Sequence, residues 1–263
     1  MPAQTSTEIR RAAALLRRGR LNVVLTGAGV STESGLPDFR SRDGLWTRVD
    51  PARVASLSAF RRDPDAFYAF YATRLAALAQ AAPNPAHRAI ARLEALGVVH
   101  LVVTQNVDGL HQQAGSRTVV EVHGNLREAR CAACDALGPI AEMETMLRAG
   151  AVPRCRRCGG LLRPNVVLFE ELLPAAAYER AEAACRACEV LLVVGSSLEV
   201  YPVAGLPGLA LEHGARLIIV NREATPYDNL AALVVRGEAG AVLPEIAQAV
   251  QGMIEGRGRR EEA

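Results

Sequence analysis

Aromatic residues are scarce in this 263-residue chain, at 4%, and the densest group of them, four, sits in the stretch PDAFYAFYATRLAALAQ. A nucleic-acid surface built on base stacking therefore has little to work with. Charge of one sign is lacking too: thirty basic against twenty-eight acidic residues leave a net charge of +2, too balanced for a general nucleic-acid or membrane surface. No apolar run approaches the roughly 20 residues of a membrane span. The N-terminal MPAQTSTEIRRAAALLRRGR lacks the apolar core and cleavage site of a signal peptide. A cytoplasmic protein without a membrane partner is expected.

What is present is apolar mass, half of all residues, enough to bury the core of one large domain or of one domain with a small insertion. Short, nearly continuous apolar runs recur: LNVVLTG from Leu21, VVHLVVT from Val98, EVLLVVG from Glu189, RLIIVN from Arg216 and ALVVRG from Ala232. Runs of Val, Ile and Leu without alternation predict parallel strands covered on both faces. Segments of helical length, such as NPAHRAIARLEALG and PAAAYERAEAACRACE, lie between several of them. The expected fold is α/β, a doubly wound parallel-sheet Rossmann-like domain. Residues 39–82, a helical insertion, and 127–163, with four cysteines and little periodicity, are expected to form a smaller inserted domain. The sheet domain then takes residues 1–38, 83–126 and 164–250, and residues 251–263 read as a solvated, flexible tail.

Six cysteines in a reducing compartment predict metal ligands or buried thiols rather than disulfides. Cys131, Cys134, Cys155 and Cys158 have the C-x2-C-x20-C-x2-C spacing of a four-thiolate zinc ribbon. Four thiolates close a tetrahedral shell, so the single zinc is expected to be structural. Cys185 and Cys188, three apart at a helix end, read as ordinary buried cysteines.

Open α/β sheets bind ligands beyond the carboxyl ends of their strands. The first strand runs into TGAGVSTESGLPDFR, where Gly27 and Gly29 permit a tight turn and close backbone approach to phosphates. The third glycine of the full dinucleotide fingerprint is absent. A second strand ends in TQNVDGLH, whose Gln105, Asn106 and Asp108 exceed what a turn needs and suit contact with a ligand. Shortly afterwards EVHGN presents His123, a candidate general base. His87, His100, His111 and His213 read as structural, His111 at most supporting the loop.

Taken together, GAGVS, GLPDFR, TQNVD, the HG of EVHGN, two CxxC pairs beginning eight residues after that histidine, GSS and VNRE resemble the sirtuin family of NAD-dependent protein deacylases. The resemblance runs from about Leu21 to Pro244. It implies NAD contacts from Gly27, Ala28, Gly29, Ser31, Pro37, Asp38, Phe39 and Arg40, with Trp46 closing the same region. Gln105, Asn106 and Asp108 would line the nicotinamide and ribose pocket; Gly195, Ser196 and Ser197 match the family's GTS. Asn221, Arg222 and Glu223 match the adenosine-side segment, and Ala239 the C-terminal loop. The implied reaction starts when an acyl-lysine oxygen attacks the ribose carbon bearing nicotinamide. His123 then helps deprotonate a ribose hydroxyl, Asn106 helps position water and ribose, and lysine leaves with O-acyl-ADP-ribose as co-product.

On spacing alone, Tyr71 and Arg74 of AFYATR share a helical face and read as core stripe and surface charge. In the family, however, sirtuins that remove succinyl and malonyl groups carry this Y-x-x-R pair, with an alanine sixteen residues before the tyrosine, where this chain has Ala55. Arginine suits a carboxylate because it offers two parallel donors. Desuccinylation and demalonylation beside deacetylation are therefore expected, on acyl-lysine proteins or peptides. Val167 and Phe169, in VVLFEELLP, are the expected peptide contacts. There the chain departs from the family's VVxFGE: Glu170 replaces the glycine, which leaves open whether it reshapes peptide pairing, favours basic peptides or disfavours acidic acyl groups.

Two alternatives use the same features differently. An NAD-dependent protein ADP-ribosyltransferase would pass ribose to a protein side chain. A zinc-ribbon nucleic-acid binder sensing NAD would use Arg127, Arg130, Arg154, Arg156, Arg157 and Arg163 against phosphates; with so few aromatics, these arginines are expected to form a solvated face instead, and nucleic acid is not an expected partner.

Overall fold

The computed structural model describes residues 3–42 and 44–261. In chain order its strands are β1 (Asn22–Thr26), β2 (Leu101–Thr104), β3 (Val119–Glu121), β4 (Gly124–Cys131), β5 (Leu137–Pro139), β6 (Leu162–Val166), β7 (Val190–Val194), β8 (Arg216–Asn221) and β9 (Leu233–Arg236). Its helices are α1 (Ala3–Arg18), α2 (Pro51–Val54), α3 (Leu57–Arg62), α4 (Pro64–Gln80), α5 (Pro85–Ala95), α6 (Leu110–Gln113), α7 (Ile140–Arg148), α8 (Ala175–Ala187), α9 (Leu206–Glu212) and α10 (Ala239–Glu261).

Six strands pair in the order β3-β2-β1-β7-β8-β9, every pairing parallel. β1 and β7 are buried along their whole length, as continuous apolar runs require when helices cover both faces. Leu16 of α1, Ile90 of α5 and Leu243 of α10 pack with Val24, Val102 and Leu192 on one face. Ala181 and Cys185 of α8 and Leu206 of α9 pack with Val23, Leu25 and Leu191 on the other. The strand order reverses direction between β1 and β7, the switch point where such sheets open a crevice.

The smaller unit is the antiparallel sheet β5-β4-β6 with α7 and the helices of the insertion. Asp63 caps α4 by accepting from the Ala66 amide, and Pro64 sits at its first position, which explains why the helix begins there. The aromatic stripe of α4 then faces the ribbon: Phe67 and Tyr68 share a core with Met143, Leu162 and Val166, and Tyr68 donates to the Leu162 carbonyl at 2.8 Å.

Two expectations change. Residues 251–261, expected as a flexible tail, continue α10, because QGMIEGRGRRE keeps enough helix formers around its three glycines; residues 262–263 lie outside the described residues. Arg163, expected on a solvated arginine face, is 6% exposed and binds Glu171 at 2.5 Å. Among the described residues no helix is long and apolar enough to cross a membrane.

Candidate active site

Residues at or just past the carboxyl ends of all six parallel strands converge on one cavity of about 840 Å³: Gly27, Gln105, His123, Gly195, Asn221 and Gly237. Every residue expected to hold cofactor or substrate lines it.

Its floor is two glycine loops packed backbone to backbone. The Gly29 amide donates to the Gly195 carbonyl at 2.8 Å, and a β-carbon on Gly27 or Gly29 would lie 2.8 Å from that same oxygen. Gly195 adopts φ +59, and a β-carbon there would come 2.3 Å from the Val30 amide. Side chains at these positions would push the loops apart, so glycine is a steric requirement.

Beside this floor lies a buried polar chain. The Asn84 amide donates to His87 Nδ1 at 3.4 Å, which places the ring proton on Nε2; Nε2 then donates to Ser31 Oγ, also at 3.4 Å. Ser31 Oγ donates to Asp108 Oδ2 at 2.8 Å and accepts from Asn106 Nδ2 at 3.0 Å. Asp108 Oδ1 accepts from the Leu110 amide at 2.9 Å. The opening of α6 thus holds the carboxylate of TQNVD, and α5 holds the hydroxyl that faces it. His111 packs edge-on to His87, ring centroids 4.9 Å apart, with its Nε2 3.0 Å from Thr26 Oγ1. The Thr26 hydroxyl donates to Thr104 Oγ1 at 2.8 Å, so its oxygen accepts from His111 Nε2. His111 Nδ1 is buried without a partner among the described residues. Burial pushes the pKa of His87 down to about 4 and of His111 to about 3, so both rings are neutral at pH 7.

His123 is differently placed. Its Nδ1 lies 3.0 Å from the Gln105 carbonyl oxygen, an atom that only accepts, so Nδ1 carries the proton and Nε2 keeps a lone pair. Burial lowers its pKa, only partly offset by the Gln105 bond. The arrangement can take up a proton at Nε2. Gln105 is itself fixed by Nε2 donating to Ser196 Oγ at 2.9 Å.

On the far wall, Tyr71 is buried among Phe67 and Phe70, ring centroids 4.6 and 5.2 Å away, and burial pushes its hydroxyl pKa up. Arg74 is half-buried, its guanidinium carbon 5.3 Å over the Phe39 ring. Phe39 stacks on Trp46 at 5.0 Å. Among the described residues Arg74 makes no ion pair, and burial lowers its pKa. The Asp108 carboxylate acts on it only at longer range, and a desolvated cation with no directly bound carboxylate on a cavity wall is ready for an anion. The pattern-based reading of Tyr71 as core holds, but Arg74 is not a solvated surface charge.

Away from the cavity, the Sγ atoms of Cys131, Cys134, Cys155 and Cys158 all lie within 4.8 Å of one another. The Ala133 and Gly160 amides each point at a sulfur, Cys131 and Cys158 respectively, at 3.4 Å. Four converging thiols with amide donors fit one tetrahedral zinc with no open position. Cys185 and Cys188 are buried, their thiols pushed up to about 12 and about 11, which makes them inert. Of the six arginines weighed for nucleic acid, Arg127, Arg130, Arg156 and Arg163 are paired with Glu121, Asp135, Glu142 and Glu171. Their charge is neutralised locally.

Sequence reasoning missed the supporting partners. His87 reaches Ser31 from a helix more than fifty positions away, and no local pattern signals that contact. Glu238, Leu172 and Tyr201 also line the cavity, the last two 95% and 75% exposed at its mouth.

The pattern of the Sir2 family matches residues 27–202. "NAD-dependent protein deacylase 2" of Archaeoglobus fulgidus is 46% identical over 245 residues, 93% of this chain and 96% of that protein. A solved Sir2 enzyme superposes with a TM-score of 0.86 at 45% identity, covering 94% of this chain and 99% of that one. A solved Sir2 bound to a p53 peptide and NAD+ gives a TM-score of 0.83 at 38% identity, over 94% and 99% of the two chains.

Proposed function

Because the chain belongs to the Sir2 family, we propose that it is an NAD-dependent protein-lysine deacylase that accepts succinyl and malonyl groups beside acetyl. The observation that carries the acidic-acyl part is Arg74, half-buried beside Tyr71 on the cavity wall with no carboxylate partner among the described residues. An acyl carboxylate would supply the missing charge and take two guanidinium donors, with the Tyr71 hydroxyl as a third. Ala55 leaves room for the longer chain on the same wall.

Bound NAD supplies a ribose carbon from which nicotinamide departs when an acyl oxygen attacks. The chain's own residues do the rest. The loops at Gly27–Gly29 and Gly195–Ser197 let the backbone approach the phosphates. Asp108, held by Ser31 and the Leu110 amide, would accept from the nicotinamide amide, and Asn106, which donates to Ser31, would orient water and ribose. His123 Nε2 takes the proton of a ribose hydroxyl. Asn221, Arg222 and Glu223, which line the same cavity, would face the adenosine. A zinc held by Cys131, Cys134, Cys155 and Cys158 would brace the ribbon that packs on α4 and, with its shell closed, would take no part in the chemistry.

One lysine peptide in acetyl and succinyl forms, incubated with and without NAD and read by mass spectrometry, tests this. Loss of both acyl groups with matched O-acyl-ADP-ribose is the expected result. Removal of acetyl alone would refute the acidic-acyl reading. ADP-ribose attached to protein without any O-acyl-ADP-ribose would replace deacylation by ADP-ribosyl transfer.

A further inference from the structure

We propose that Glu170 is a positioning residue for the deacylation reaction: by tying the loop after β6 to Ser58 at the start of α3, it holds the peptide side of the cavity in register with the acyl pocket. The inference rests on the deacylase reaction and not on which acyl group is preferred.

Glu170 has φ +76, a left-handed conformation that a β-carbon disfavours and glycine adopts freely. A glutamate persists there only if its side chain gains something. Its Oε2 accepts from Ser58 Oγ at 2.6 Å and from the Ser58 amide at 3.0 Å. One residue earlier, the Phe169 amide donates to the Ala55 carbonyl at 3.0 Å, and the Leu57 amide donates to the Phe169 carbonyl at 3.1 Å. On the ribbon side, Glu171 accepts from Arg163 at 2.5 Å and from the Leu168 amide at 2.9 Å. The loop is thus anchored at both ends, and Glu170 is the side-chain fastener on the insertion side.

Both residues joined by the backbone bond, Ala55 and Phe169, line the cavity. Phe169 also meets Trp46 edge-on at 6.1 Å, and Trp46 carries the Phe39 ring on which Arg74 rests. Shifting the loop therefore shifts one wall of the acyl pocket. The mouth beside it exposes Leu172 and Tyr201, a surface suited to the flanks of a peptide. The Glu170 carboxylate is engaged by the two Ser58 donors, which answers how the chain tolerates a charged side chain at a left-handed position that favours glycine: the charge serves the loop.

The test compares wild type with Glu170→Gly, Glu170→Gln, Ser58→Ala and the Glu170→Gly/Ser58→Ala pair. It uses an acetyl-lysine peptide, with the affinity of its fluorescent form read by anisotropy and the peptide and NAD KM values read separately. Glu170→Gly is expected to weaken peptide binding and raise the peptide KM by about tenfold, although it relieves the backbone. NAD KM should stay within about twofold and Tm within about 2 °C. Glu170→Gln should retain most of the affinity, and adding Ser58→Ala to Glu170→Gly should cost nothing more, the mark of two groups acting as one. Unchanged peptide affinity in Glu170→Gly, additive losses in the pair, or equal changes in peptide KM, NAD KM and Tm would each overturn the latch. Anisotropy needs no turnover, so an inactive wild type would refute deacylation without deciding the latch, which the binding series decides by itself.

Discussion

The ring of His123 donates to the carbonyl of Gln105, the residue that opens the polar stretch after β2. One hydrogen bond thereby fixes the tautomer that a base needs and ties it to the loop carrying Asn106 and Asp108. His123→Ala is expected to lower turnover by about 10²- to 10⁴-fold while leaving zinc content and Tm near wild type. Because burial lowers the pKa of His123, the acid limb of kcat/KM against pH should fall below the ordinary histidine value of 6.5. An acid limb at or above that value, or near wild-type turnover in the variant, would remove His123 from the base role.

Arg74 rests on Phe39 and faces the cavity with no carboxylate in salt-bridge contact among the described residues, Asp108 acting on it only at longer range. Arg74→Met keeps the apolar stem and removes the donors. Loss of a charge-assisted pair is worth about 1.5–3 kcal/mol, so kcat/KM for a succinyl peptide should fall by about 10- to 100-fold, with the acetyl peptide within about threefold. Tyr71→Phe should lower succinyl turnover less, by about fivefold, as one neutral donor is lost. Equal loss on both peptides would mean that Arg74 only supports the wall.

The strands at the centre of the sheet were the most legible part of the chain, because burial on both faces writes itself as an unbroken apolar run; β1, β7 and β8 lie inside LNVVLTG, EVLLVVG and RLIIVN. β3 is three residues long with only Val120 buried, so VVE carried no comparable signal. Helix α1 has its signal, Ile9, Ala12, Ala13 and Leu16 at helical spacing, under a dense cover of arginines. The cavity was readable wherever polar or glycine residues stand at strand ends, since those positions have no fold-building reason to be polar. Its supports were not readable. Ser31 meets His87 and Asp108 across the fold, and Glu170 meets Ser58 across 112 positions, contacts that only the assembled layers create. Arg163 was misread for the same reason: a charge looks solvated until its partner, Glu171, is placed beside it.

The four-thiol cluster predicts one zinc per chain. Ribbon residues Leu162 and Val166 share a core with Phe67 of α4, so losing the metal should loosen the wall that carries Tyr71 and Arg74 while the parallel sheet stays folded. Cys155→Ser, or prolonged chelation, is expected to release the zinc, abolish turnover and leave most of the far-ultraviolet circular dichroism intact. Cobalt in place of zinc should preserve kcat within about twofold, because a closed shell contributes no Lewis acid. A large change in kcat with the metal would instead put it in the chemistry.

His87 and His111 make stability depend on pH. Protonating His87 would require a proton at the nitrogen that accepts from the Asn84 amide, and protonating His111 would charge a ring nitrogen buried without a partner. Folded, they titrate near about 4 and about 3; unfolded, near the ordinary 6.5. Between these values the unfolded chain binds more protons, so their contribution is present in full above 6.5 and is lost as pH falls toward 4. From pH 7.5 to 5 the loss should be on the order of 2 kcal/mol for each ring. His123, lowered in the same direction, steepens the same slope. The decisive quantity is therefore the change made by His87→Gln: urea unfolding at pH 7.5, 6 and 5 should give a shallower pH dependence than wild type by about one ring's share. An unchanged slope would mean that His87 binds protons equally in the folded and unfolded chain, so that burial does not depress its pKa; a steeper slope would mean that the folded chain holds the proton more tightly than the unfolded one, against the neutral ring of the Asn84–His87–Ser31–Asp108 relay.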